Sequence, residues 1–96
     1  MIIVHNIFVC KPGNASKLAK LCKEWSETQK GTSIMTDMTG QFHRVIMVST
    51  HDSLAAYEED SKKMMEDTPE TKAMNEKFKD MNEMYISGSR EIYKVW

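Results

Sequence analysis

Residues 2–10 (IIVHNIFVC) are apolar at both parities, with Ile2, Val4 and Phe8 on one side and Ile3, Ile7 and Val9 on the other. β-Branched and aromatic residues without a breaker predict a strand. Apolar residues at both parities predict that both of its faces are covered. Lys11-Pro12-Gly13 reads as a turn and Asn14 as a helix N-cap. Leu18, Leu21, Cys22 and Trp25 then recur at helical spacing, and Gly31 fits a helix stop. Ser33 to Phe42 is a weaker strand with Ile34, Met35, Met38 and Phe42, and Gly40-Gln41 reads as a turn or bulge. His43 to Thr50 is a second clear strand, again apolar at both parities through Val45 and Met47 against Ile46 and Val48. Asp52 or Ser53 caps a helix whose inner stripe reads Leu54, Tyr57, Ser61, Met64 and Met65. Thr68-Pro69 restarts it, Thr68 as N-cap and Pro69 at the first helical position. Met74, Phe78, Met81 and Tyr85 continue the stripe, Gly88 reads as its stop, and Arg90 to Trp96 is a last alternating strand.

Joined across the Pro69 break, the order is βαββαβ, a ferredoxin-like α+β unit. Right-handed crossovers give a four-stranded antiparallel sheet in the order 4-1-3-2, with helices on one face. The opposite face is then apolar and open. A second copy of the same sheet is its simplest cover, so a homodimer is expected.

Composition narrows the function classes. Ninety-six residues fit a single domain, 1–96, which buries only about 60–65% of its unfolded surface and gains from a partner. A net charge of −1 argues against nucleic-acid binding, and no apolar run reaches the length of a membrane span. Cys10 and Cys22 make neither a disulfide framework nor a four-ligand zinc set, so a reduced, cytoplasmic setting is expected. Residues 1–48 carry six basic and three acidic groups, net +3, and residues 49–96 carry seven basic and eleven acidic, net −4. The acidity gathers in Glu58, Glu59, Asp60, Glu66, Asp67 and Glu70, either a solvated helix face or a docking surface for a basic partner.

Asn6 is the most informative polar residue, because it interrupts an apolar strand on the face of Val4 and Phe8. It either bonds neighbouring backbone or orients a ligand. Trp25 and Tyr57, one from each helix, would wall a pocket over it. His5 falls on the opposite parity, at the expected interface, and His43 and His51 read as solvated strand ends. No His pair has a local metal-ligand spacing, so no metal is expected. Nine Met read as adaptable core packing, although Met35-x-x-Met38 and Met81-x-x-Met84 have thioether spacing for Cu(I).

The strand followed by Pro12-Gly13, the Ser53-Leu54-Ala55-Ala56-Tyr57 helix opening and the Thr68-Pro69-Glu70-Thr71-Lys72-Ala73-Met74-Asn75 restart resemble the dimeric α+β barrel superfamily. That group includes antibiotic-biosynthesis-type monooxygenases and haem-degrading monooxygenases. The ending Ser89-Arg90-Glu91-Ile92-Tyr93-Lys94-Val95 is most similar to its NIPSNAP-like branch. The resemblance implies two sheets closing a barrel across a dimer. Its haem-degrading members use an Asn, a Trp and a His at positions that here hold Asn6, Asp60 and Asn75. The missing His removes the iron ligand, so haem degradation is not expected and no cofactor is assigned. The resemblance leaves two readings: a cofactor-independent, monooxygenase-like enzyme acting on a small aromatic or polyketide-like compound, or a non-catalytic module that binds a small apolar ligand or another protein.

Overall fold

The computed structural model describes residues 1–29, 31–39 and 42–96. In chain order the elements are β1 (Ile2–Cys10), α1 (Ala15–Ser26), β2 (Thr32–Thr36), β3 (Arg44–His51), α2 (Leu54–Met64), α3 (Pro69–Lys77), α4 (Met81–Met84) and β4 (Tyr85–Lys94). The expected Gly40-Gln41 turn or bulge lies outside the described residues. Among those described, the strands form one antiparallel sheet in the order β2-β3-β1-β4, as expected.

β1 pairs along its length with β3 on one edge and β4 on the other. Residues opposite each other share a face. Val4 stands opposite Ser49 and Ile92, and Asn6 opposite Met47 and Arg90. This even-numbered side of β1 faces the helices. Ile3, His5, Ile7 and Val9 point the other way, with Ile46 and Val48. The molecule measures 38 × 35 × 21 Å, and its short axis is filled by one sheet and one helix layer at about 10 Å each.

The core lies at the α1 end of the helix face. Leu18 and Cys22 from α1 meet Cys10 and Val45, all fully or almost fully buried. Phe8, Ile34, Met47, Phe78, Met81, Met84 and Tyr85 pack around them. Burial pushes the Cys22 thiol up to about 11, with Cys10 adding a smaller charge effect, and burial raises Cys10 as well.

Four local expectations change. Tyr85 and Gly88 belong to β4, which begins five residues earlier than its alternation suggested. Pairing with β1 supplies ladder hydrogen bonds across this stretch, and the gain outweighs the poor strand propensity of glycine. Tyr85 turns onto Phe8, ring centroids 5.2 Å apart. Leu54, at 58% exposure, and Met65, at 86%, are not on an inner face, and Met64 is exposed too. α2 buries no residue of its own and meets the sheet through Tyr57 and Asp60, which contact His51. Asn14 precedes α1 without a side-chain capping bond, whereas Ser53 and Thr68 accept from the Ala56 and Thr71 amides. The Met residues divide: Met47, Met81 and Met84 pack on the core, while Met35 and Met38 are exposed.

Two outcomes follow from this core. Leu18→Ala should lower unfolding stability by about 2–5 kcal/mol in urea titration, since it opens a cavity where α1 meets the sheet. The thiols should resist an aromatic disulfide reagent at pH 8 and react only on unfolding. Because the folded Cys22 value lies above the ordinary 9.0, its contribution to stability is complete below pH 9 and is lost as pH rises towards about 11. Thermal melts across that interval check the sign.

Candidate functional site

Strand alternation builds the site at the end of the helix face that the core leaves free. Ser49 and His51 sit two residues apart on β3 and share that face. His51 Nε2 lies 2.9 Å from Ser49 Oγ, and His51 Nδ1 lies 3.2 Å from Asp60 Oδ2 on α2. The His51 side chain is only 13% exposed, while Asp60 is 57% exposed. His51 is therefore not the solvated strand end expected from its position. α2 lies across it, and its ring meets Tyr57 at 4.9 Å between centroids.

Tyr57 links this pair to a second one. The Arg90 guanidinium lies 5.9 Å from the centre of the Tyr57 ring, within cation–π range. Arg90 Nε donates to Asn6 Oδ1 at 2.7 Å. The donor fixes the orientation of the amide: the oxygen must face Arg90, which leaves the Asn6 Nδ2 hydrogens free to donate elsewhere. The result is a continuous run of side chains, Asn6–Arg90–Tyr57–His51–Asp60, that crosses β1, β4, α2 and β3. Arg90 is exposed, so the run is reached from solvent. It combines an imidazole held by a carboxylate, a cation and an aromatic wall, which suits proton transfer to or from a small polar aromatic compound.

Of the three expected pocket residues, Asn6 and Tyr57 fall in this run through Arg90. Trp25 lies apart. It lines a groove of about 460 Å3 between α1 and α3 with Leu21, Ala73, Met74 and Phe78, and its indole N–H is buried without a partner. Asp60 bonds His51, and Asn75 is exposed on α3. Ser49, His51 and Arg90 were not among the sequence candidates. The i, i+2 spacing of Ser49 and His51 on a strand was a readable signal. The position of Arg90 needed the register of β4. His5, on the opposite sheet face, meets Tyr93 edge-on at 5.3 Å. The Glu91 carboxylate beside Tyr93 raises its hydroxyl above the usual range. Among the described residues, no three His, Cys, Asp or Glu side chains converge as a metal site, and no helix is long and apolar enough to cross a membrane.

No protein-family model and no curated protein matches the chain. Solved structures do. An uncharacterised NIPSNAP domain protein from Burkholderia xenovorans superposes with a TM-score of 0.79 at 9% identity, over 100% of this chain and 95% of that one. A NIPSNAP family protein from Agrobacterium tumefaciens gives 0.79 at 17% identity, over 97% and 90% of the two chains. A provisionally assigned antibiotic biosynthesis monooxygenase from Deinococcus radiodurans gives 0.65 at 16%, over 100% and 93%. At these identities the likeness establishes a shared fold: the chain has the ferredoxin-like architecture of NIPSNAP and monooxygenase-like proteins.

Asn6→Ala removes the acceptor of a charge-assisted bond at a solvent-accessible site. It should cost about 1 kcal/mol of stability, and chemical denaturation of the two proteins measures it.

Proposed function

We propose that the chain is a homodimeric, cofactor-independent enzyme that oxygenates a small phenolic or polyketide-like compound. The observation that carries this reading is the run from Asn6 to Asp60. His51, held by Asp60, takes the phenol proton. Arg90, steadied by Asn6, holds the phenolate oxygen, and Tyr57 stacks on the ring. The electron-rich phenolate then reacts with dioxygen, and phenol plus O2 gives quinone plus water. The fold shared with a provisionally assigned monooxygenase supports the reading without carrying it. Two thiols in the reduced state suit a cytoplasmic location.

Assembly follows from the open sheet face. Ile3, Ile7, Val9, Ile46 and Val48 are only half-buried there. Full burial of a large apolar side chain is worth about 1.5–3 kcal/mol relative to full exposure, and each of these partly covered residues gains a fraction of that. A second copy, sheet against sheet, supplies that burial and closes a barrel. The chain should sediment at twice its 11.1 kDa mass, and Ile7→Asp should shift it to monomer. A wild-type monomer at micromolar concentration would refute the assembly.

A second reading has its own observation. The groove holding Trp25, Met74 and Phe78 suits a non-catalytic module that binds a small apolar ligand. Oxygen uptake separates the two. A panel of small phenols and naphthols, with no added metal or cofactor, should consume oxygen and form quinone absorbance, and His51→Ala should abolish both. Thermal stabilisation by the same compounds that is lost in Trp25→Ala, without oxygen uptake, would establish the module instead.

A further inference from the structure

The hydrogen bonds around His51 define a proton path. A carboxylate only accepts, so the hydrogen between His51 and Asp60 sits on His51 Nδ1. A neutral imidazole with Nδ1 protonated presents Nε2 as an acceptor. The Ser49 hydroxyl then donates to it at 2.9 Å. The order is hydroxyl, imidazole, carboxylate, with each nitrogen in the tautomer that proton removal from the hydroxyl requires.

We propose that Ser49 is a nucleophile, with His51 as its base and Asp60 as the positioning residue, and that the protein hydrolyses small carboxylic esters through an acyl-Ser49 intermediate. Ser49 Oγ bonds the ester carbonyl carbon while its proton passes to His51 Nε2. The ester C–O bond breaks, and the departing alcohol oxygen takes that proton. Water then gives a proton to Nε2, its oxygen bonds the acyl carbon, and Ser49 Oγ leaves and recovers the proton. Ester plus water gives acid plus alcohol, with no oxidant.

The surroundings fit the substrate class. Asn6 is the diagonal neighbour of Ser49 across the β1–β3 pair, about 7–8 Å between backbones. Its free Nδ2 hydrogens are the donors nearest in register for the carbonyl oxygen as charge develops there. Arg90 stands two strands from Ser49 on the same face, a separation of roughly 10–12 Å between backbones. A short ester with a carboxylate or phenolic end spans that gap, its carbonyl at Ser49 and its anionic end at the guanidinium beside Tyr57. The inference goes beyond oxygenation: it shares His51 with that reading but needs no O2.

The test uses the full-length chain under argon, which removes oxygen chemistry from the readout. A fluorophosphonate probe followed by peptide mass spectrometry should place the adduct on Ser49. p-Nitrophenyl butyrate should be hydrolysed. Ser49→Ala and His51→Ala should each lower the rate about 100-fold or more, with unchanged circular dichroism. Asp60→Asn, at an exposed position, should keep the fold and displace the pH profile, which a purely structural residue would not do. Ser49→Cys serves as the second variant: the thiol it introduces should be alkylated by iodoacetamide faster than any thiol of the wild-type chain. Absence of a Ser49 adduct, together with alkylation of the Ser49→Cys variant no faster than that of wild type, would overturn the proposal. So would ester hydrolysis that is equal in wild type and folded Ser49→Ala.

Discussion

β1 has to satisfy two hydrogen-bonding edges and two apolar faces at once, and the rest of the molecule is arranged by how it does so. Its edges are met by β3 and β4 in registers that hold along most of its length. Those registers bring residues distant in sequence to single lines across the sheet, such as Met47, Asn6 and Arg90. One face is met by helices. The other has no covering element among the described residues. A chain of 96 residues has enough helix for one layer, and the 21 Å short axis records that limit.

The helix face is itself divided. Under α1 and α4 it is a packed core of Leu18, Cys22, Cys10 and Val45. Towards α2 the same strands carry Asn6, Ser49, His51 and Arg90 around the buried Ile2 and Val4. Polar groups between sheet and helix are tolerable only when they are bonded. Here the bonds run sideways from strand to strand and from β3 up to Asp60, so α2 is held by one hydrogen bond and by ring contacts where α1 is held by apolar packing. An element anchored in that way buries no residue and leaves the site open to solvent. The site's accessibility and the weak seating of α2 share one cause.

What was legible in the sequence follows the same division. β1, α1 and β3 carry dense apolar patterns, and the Pro69 restart carries its own cap, so the element order emerged from local periodicity, and strand order and helix side followed from it by the handedness of the crossovers. β4 was harder because Tyr85 fits a helical stripe and Gly88 a helix stop; only its partnership with β1 selects the strand. Of the candidate residues, Asn6 announced itself by interrupting an apolar run, and Tyr57 by its place on α2. His51 did not, since its burial comes from Tyr57 and Asp60 folding back over it, a tertiary contact that strand position alone does not contain. Arg90 depended on register, and register is a property of pairs of strands rather than of either one.

That dependence ties the open face to the site. Side chains alternate, so each site residue on the sheet has neighbours that face away from the helices: Asn6 lies between His5 and Ile7, Ser49 between Val48 and Thr50. A slip of one residue in either pairing would exchange the two sets, turning Ile7 and Val48 to α2 and Asn6 and Ser49 to the opposite side. The core at the α1 end resists such a slip through Cys10 and Val45, but it lies far along the strands from Ser49 and His51. At the site end, Val4 and Ile2, buried on the helix face opposite Ser49 and His51, hold the register, and the side chains that gain by facing away from the helices add to it. In the proposed dimer, a second sheet packed against Ile3, Ile7 and Val48 strengthens that constraint from the opposite face. Such a dimer holds Ser49 and His51 side by side beneath Asp60 without contributing an atom to the site.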